Sequence, residues 1–336
     1  MATILAIESS CDDTAAAVVD APGFVRSSVV SSQLVHARYG GVVPEIASRA
    51  HQRMIVPVVQ AALDNADAKL EDLDAVAVTY GPGLAGSLLV GLTFAKGLAV
   101  ARSLPIIGVN HLEGHLLSVY ADGVTPRLPA LTLIVSGGHT ELVKTESGLV
   151  HTVLGRTRDD AAGEAIDKFS KLMGLGFPGG PVVDKLAAAG NRDFYRFPRA
   201  ELDGLDFSFS GIKTSALYYL KKIPVDERQA FFDDHVQDLS ASFLEAIVDM
   251  LSTQLIKALD LGSYASVCLV GGVSANVRLR DRIANICGTR GLDFYIPKPE
   301  YRTDNAAMVG IAAAQRLLLK QTDSLELTID PSARLA

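Results

Sequence analysis

One design is written twice in this chain, and it limits the fold more than any other feature. "TILAIESSCDDTAAAVVD" (3–20) is an apolar run, a Ser/Cys/Asp turn and a second apolar run. That pattern reads as a β-hairpin with a polar, acidic tip. "ALTLIVSGGHTELVKTE" (130–146) repeats the plan around Ser136-Gly137-Gly138-His139-Thr140. Two hairpins of one plan, far apart in sequence, imply an internal duplication into two similar α/β lobes. With 336 residues, 49% of them hydrophobic, the chain can bury a core in each.

The pieces around the hairpins alternate. "DAVAVTYGPG" (74–83) reads as a buried strand ending in a glycine turn, and 84–101 as an apolar core helix. "PIIGVN" (105–110) is a short strand before the stretch "HLEGH". "SVCLVGGVSANVRLRDRIANIC" (266–287) is strand, glycine turn and helix; "LDFYIPKP" (292–299) is a strand; 303–320 is a helix with an acidic start. Alternation of this kind indicates α/β lobes with mixed sheets.

Several classes fall away on composition. Three cysteines, Cys11, Cys268 and Cys287, lie far apart without a CxxC, which argues against a disulfide framework or a cysteine zinc site. The N-terminus is a strand entering an acidic turn, not a signal peptide. The 84–101 stretch carries Lys96, Ser87, Thr93 and three glycines, so no membrane span is expected and the chain is read as cytoplasmic. A net charge of −7 argues against a self-sufficient nucleic-acid binder, though a partner or local patch can supply positive charge.

Four glycine turns follow buried strands or open helices: Gly81-Pro82-Gly83, Gly137-Gly138, Gly179-Gly180-Pro181 and Gly271-Gly272. Glycine lets backbone N–H groups approach a phosphate, but each turn alone is equally an ordinary connection. No Walker sequence is present. Two hairpin tips facing a nucleotide, with a late strand–Gly-Gly–helix, is instead the plan of a two-lobed actin-like ATPase (sugar kinase/heat-shock ATPase) architecture with an inter-lobe cleft. The tips would be 9–13 and 136–140, and the adenosine turn 271–276. Asp12 and Asp13 could orient a phosphate-bound metal or a water, or simply serve the turn.

His111 and His115 stand four apart in "HLEGH". At about 100° per residue their imidazoles lie about 40° apart on a helix, a workable chelate. In H-E-x-x-H proteases the glutamate directly follows the first histidine; here Leu112 does, and Glu113 lies on the opposite face. Asp304 is the third ligand expected, although an Asp there also suits a helix N-cap. Two histidines and a carboxylate with open positions suit Fe(II) or Zn(II). The alternative for the pair is two structural histidines at a helix start.

Together, "ESSCDDT", "HARYGGVVPEIASRAH" (36–51), "GPGLAGSLLVG", "HLEGH", "LIVSGGHTEL", "DDAAGEAIDK" (159–168), "GFPGGPVVD" (176–184), "DFSFSGIKT" (206–214), "GGVSAN" and "TDNAAM" resemble the TsaD/YgjD/Gcp family across residues 4 to about 316. The resemblance implies the actin-like fold, with a first lobe at 1–128 completed by the helix 304–320, a second lobe at 129–303 and a tail at 321–336. It implies transfer of the threonylcarbamoyl group from threonylcarbamoyl-AMP to the exocyclic amine of the adenosine 3′ of the anticodon, in tRNAs reading codons that begin with A, with release of AMP. One divalent metal per subunit, Fe(II) before Zn(II), would sit on His111, His115 and Asp304. An adenine nucleotide or the adenylate would lie in the cleft. Ile134, Val135, Ser136, Gly137 and Gly138 would meet its phosphate and carbamoyl part, with Ser136 at the oxyanion. Asp167, Gly180 and Asp184 would meet the ribose, and Asn276 the adenine. Asp12 would assist proton transfer or position the acceptor. The implied partners are TsaB as a heterodimeric paralogue, TsaE as an ATPase, and a TsaC-type enzyme supplying the donor. The family commonly has Thr at Ser9, Glu at Asp13 and Gly at Ala306.

Arg49, Arg53, Lys168, Lys171, Lys213 and Arg280 are candidate tRNA contacts, and equally solvated helix faces. A small-residue face with Gly86 and Gly97 could receive TsaB, or serve lobe packing. Competing readings are an actin-like kinase, a metalloprotease and a non-catalytic regulatory paralogue.

Overall fold

The computed structural model describes residues 1–146 and 149–335. They divide into two compact units, 1–126 with 149–150 and 297–335, and 127–146 with 151–296.

The first unit opens with β1 (Thr3–Glu8) and β2 (Asp13–Asp20), antiparallel in the register Thr3↔Asp20 to Glu8↔Ala15, so the first hairpin forms as read. Next come β3 (Phe24–Ser32), α1 (Pro44–Asn65), β4 (Ala75–Gly81), α2 (Ala85–Arg102), β5 (Ile106–Asn110) and α3 (His111–Leu117). The sheet order is β3-β2-β1-β4-β5, with β1, β4 and β5 parallel. β1 is buried along its whole length, which is why it reads as a continuous apolar run rather than an alternation.

The second unit repeats the plan. β6 (Ala130–Val135) and β7 (Thr140–Thr145) form the second hairpin, followed by β8 (His151–Arg156), α4 (Ala162–Leu172), α5 (Gly180–Ala187), α6 (Ser210–Lys221), α7 (Arg228–Leu261), β9 (Ser266–Val270), α8 (Val277–Arg290) and β10 (Asp293–Tyr295). Its order, β8-β7-β6-β9-β10, matches the first sheet strand for strand, including which pairs are parallel. The duplication inferred from two hairpins thus extends to all five strands of each sheet. Phe169, Phe197 and Phe243 centre the core beneath this sheet, Phe169 stacked on Phe243 at 4.1 Å.

The chain then returns to the first unit as α9 (Ala306–Leu318), packed on β1 and β2. Its alanines and Gly310 permit close approach: a Cβ on Gly310 would lie 2.5 Å from Val19 Cγ2. The segment set apart as a tail lies against this unit. The Asp323 carboxylate accepts from Gly108 N–H at 2.7 Å, and Asp330 N–H donates to the Tyr80 carbonyl at 2.9 Å.

Among the described residues two helices, α2 and α7, are long and apolar enough to cross a membrane by length and composition. The apolar part of α7 is largely buried inside its unit. α2 departs from the core helix expected. Ser87, Leu88, Gly91, Leu92, Ala95 and Ala99 face the unit, while Leu89, Thr93, Gly97 and Val100 are exposed.

Candidate metal centre and nucleotide-binding turns

Three parallel strands of the first sheet end side by side. The register pairs Ile7 with Val78 and Thr79 with Val109, so Glu8, Thr79 and the start of α3 cluster at the carboxyl ends, the usual ligand edge of such a sheet. Asn110 caps α3 by accepting from Leu112 N–H at 2.9 Å, which sets His111 in the first turn and His115 one turn on. Both imidazoles are buried, with ring centroids 4.8 Å apart.

Asp304 joins them. Asn305, not Asp304, caps α9, accepting from Met308 N–H at 2.9 Å. The Asp304 carboxylate is therefore available, and its Oδ1 lies 3.0 Å from His115 Nε2 and 3.5 Å from His111 Nε2. One donor atom from each residue falls within 4.8 Å of the others. A cation bonded at about 2.0–2.2 Å to each needs donors roughly 3–3.5 Å apart; Asp304 stands at that spacing from each histidine, and two imidazoles with a carboxylate are a donor set that can hold a divalent cation. Asp304 remains 32% exposed, which leaves one side approachable. Glu113 takes no part in it: its Oε2 accepts from Arg316 Nε and Nη2 at 2.9 and 2.7 Å. The base of a zinc protease is thus turned into an ion pair with α9.

Electrostatics follow the packing. Burial disfavours the His111 imidazolium, but the Asp304 and Glu8 carboxylates outweigh it and hold its pKa well above the usual value. Burial likewise opposes the Asp304 carboxylate, and His111 and His115 overcome it, holding that group well below the usual range. A site so electronegative favours a cation. At the first tip, burial pushes the Asp13 carboxyl up to about 6, and burial with Asp12 alongside pushes the Cys11 thiol strongly upward, so Cys11 offers no thiolate. Glu8, the partner of His111, escapes any reading by spacing because 103 residues separate the two.

The first glycine turn is not a phosphate loop. A Cβ on Gly81 would lie 1.9 Å from the Asp330 carbonyl oxygen, one on Gly83 would lie 2.5 Å from that of Ser10, and Gly83 N–H donates to Pro331. These glycines serve close packing.

In the second unit the other three turns differ. Ile134 and Val135 are wholly buried in β6, so only their backbone can serve a ligand. Ser136 N–H donates to the His139 carbonyl and its hydroxyl accepts from His139 N–H at 3.1 Å, closing the tip. Gly137 and Gly138 are exposed, with nothing within 4 Å of an added Cβ, and no backbone acceptor takes their amides among the described residues. Gly271, at φ +89°, brings the next turn against this one; a Cβ there would meet the Val135 carbonyl oxygen at 2.4 Å. Asp167 accepts from Gly179 N–H at 2.7 Å and so shapes the turn entering Gly180 and α5. Asp184, on α5, accepts from Asn276 Nδ2 at 2.6 Å, while Asn276 Oδ1 caps α8 through Leu279 N–H at 2.7 Å. Asp167, Gly180, Asp184 and Asn276 thus form one connected group, with both ends of the Asn276 amide engaged. Asp12 lies half-buried in the other unit's tip.

Among the basic residues, Lys168 and Lys213 both pair with Asp160, at 2.6 and 3.3 Å, and Arg49 pairs with Glu45. Arg53 and Lys171 are exposed; Arg280 is half-buried, its charge felt by Asp184.

The family model described as TsaD, tRNA N6-adenosine threonylcarbamoyltransferase, matches residues 24–311. A relative from Salinibacter ruber named tRNA N6-adenosine threonylcarbamoyltransferase is 54% identical over 333 residues, covering 99% of each chain. Among solved structures, full-length HypF in its phosphate- and nucleotide-bound form aligns with a TM-score of 0.60 at 13% identity, over 95% of this chain and 56% of that one. The ROK hexokinase of Thermus thermophilus aligns at 0.50 and 15% identity, over 95% and 99%. These similarities show the actin-like, sugar-kinase fold for the chain.

Proposed function

We infer the site's working from one premise: the chain belongs to the TsaD family and is a tRNA N6-adenosine threonylcarbamoyltransferase, an acyltransferase acting on tRNA. The donor proposed is threonylcarbamoyl-AMP. The acceptor is the exocyclic amine of the adenosine 3′ of the anticodon, and AMP leaves.

His111, His115 and Asp304 would hold one divalent ion, Fe(II) before Zn(II). When bound, it would supply a positive anchor for donor oxygens and polarise the acyl carbonyl. The Gly137 and Gly138 amides would receive the phosphate and carbamoyl oxygens, with Ser136 holding the turn's shape and offering its hydroxyl to the developing oxyanion. Ile134 and Val135 would contribute only the rigid strand end beneath them. Asp167 would fix the turn at Gly180, and Asp184 would face the ribose. Asn276 would act mainly by keeping Asp184 and the Gly271-Gly272 turn in place for the adenine. Asp12 would steer the acceptor amine or take its proton.

The single observation that carries the metal reading is the convergence of His111, His115 and Asp304 while Asn305 alone serves as the α9 cap. Glu113 on Arg316 counts against proteolysis.

The exposed Leu89, Thr93, Gly97 and Val100 face of α2 would receive TsaB. Gly86 is less free, because a Cβ there would lie 3.2 Å from Ser48. TsaE would serve as ATPase partner, a TsaC-type enzyme would supply the donor, and the reaction would run in the cytoplasm. Arg53, Lys171 and Arg280 remain the best tRNA contacts; the pairing of Lys168, Lys213 and Arg49 weakens their claim. Mixing the protein and these partners with threonylcarbamoyl-AMP and unmodified tRNA, then weighing the nucleosides by mass spectrometry, tests the donor. Modified adenosine supports it; none with any partner set refutes it.

A further inference from the structure

Glu8 ends β1 beside His111 and is 1% exposed. Its Oε2 lies 3.0 Å from His111 Nδ1 and accepts the Thr79 hydroxyl at 2.6 Å, while Oε1 accepts Ser10 N–H at 2.5 Å. The carboxylate is thereby locked from three sides. It stands on the Nδ1 edge of the ring, whereas Nε2 meets Asp304, so Glu8 is not a ligand itself. The other histidine lacks this support: His115 Nδ1 is buried with no hydrogen-bond partner. Glu8, as a carboxylate, can only accept from Nδ1, and the Ser10 hydroxyl, 3.2 Å from the same nitrogen, can share that proton as a second acceptor. That requires a proton on Nδ1, so the proton a cation displaces from the ring is the one on Nε2, beside Asp304.

We propose that Glu8, braced by Thr79 and Ser10, is a positioning residue that fixes the Nδ1–H tautomer of His111 and so makes Nε2 a metal donor. The inference rests on the metal reading above and adds to it a reason why one histidine is preorganised. Glutamine in place of Glu8 can turn its NH2 toward Nδ1 and favour the opposite tautomer, whose Nε2–H cannot bind a metal.

The test uses metal-free full-length protein titrated with Co(II), read by visible d–d absorption, with a thermal melt of each variant. Glu8→Gln should weaken Co(II) binding by about 10- to 100-fold, as loss of such an outer partner does. Thr79→Val should weaken it less, and Thr79→Ser should restore it. In Zn(II)-loaded wild type, nitrogen-15 spectra should show His111, assigned by its loss in His111→Asn, protonated at Nδ1. Equal Co(II) affinity in Glu8→Gln and wild type, or a His111 Nδ1 bound to Zn(II), overturns the proposal. If Glu8→Gln does not fold, Thr79→Val and the wild-type spectrum decide. Wild type that binds no Co(II) sinks the metal reading and this inference together. Binding abolished by His111→Ala but untouched by Glu8→Gln sinks only this one.

Discussion

Glu113 lies two residues from each histidine, and the account gives it no chemistry. It is a buried carboxylate held by Arg316. Glu113→Ala strands that guanidinium and should lower unfolding stability by about 2–4 kcal/mol while Co(II) binding persists; denaturant melts beside the Co(II) titration check it. A melt unchanged, with metal lost, would return Glu113 to the site. Asp13 makes a pH prediction. Its folded pKa is raised to about 6, mainly by burial, against an ordinary value of 3.8. Below both values the proton is bound in either state, so nothing is lost. Between them the unfolded chain releases its proton first, and stability falls as pH rises, by up to ~3 kcal/mol above pH 6. Asp13→Asn should therefore gain on wild type between pH 4 and 7 in urea melts; an equal difference at both pH values would contradict this. The histidine pair was legible at this scale because four-residue spacing is local. Glu8 was not, since its contact with His111 depends on strand neighbours that no spacing reveals.

At the scale of elements, the start of α9 separates two jobs that sequence left together. Asn305→Ala should cost about 1 kcal/mol by loss of the cap and leave Co(II) binding in place. Asp304→Asn should abolish binding while the α9 cap stays in place, and any change in melting should come from the lost pairing with His111 and His115. Titration and melting of both variants measure it, and a shared phenotype would contradict the division. Asn276→Ala removes both the α8 cap and the Asp184 bond; a stability loss of about 1–2 kcal/mol and a higher KM for the donor are expected from melts and kinetics. An unchanged KM would place Asn276 outside the nucleotide site. The hairpins were legible because their tips interrupt apolar runs with polar turns. The 34-residue α7 was not: its first part is polar, while Leu239–Leu259 is buried on nearly every side, so no amphipathic stripe marks it. The role of Asn276 as a cap was written in its position before α8, but its bond to Asp184 joins residues 92 apart.

For the whole molecule, two sheets of one strand order were foreseeable from two hairpins, because a duplicated lobe carries its connections with it. The ten motifs located the family and most of the candidate site. Side-chain assignments were less legible, since Ser136 and Asn276 use their hydrogen bonds to hold turns, a duty that residue type alone does not disclose. A net charge of −7 gives the chain no overall attraction for tRNA. The decisive measurement is transfer. Wild type, His111→Ala and Asp304→Ala, each offered the same metal and with TsaB and TsaE, are given threonylcarbamoyl-AMP and unmodified tRNA. The account predicts threonylcarbamoyl-adenosine by mass spectrometry from wild type and none from folded variants. Equal product from all three would contradict the metal centre as the seat of the reaction.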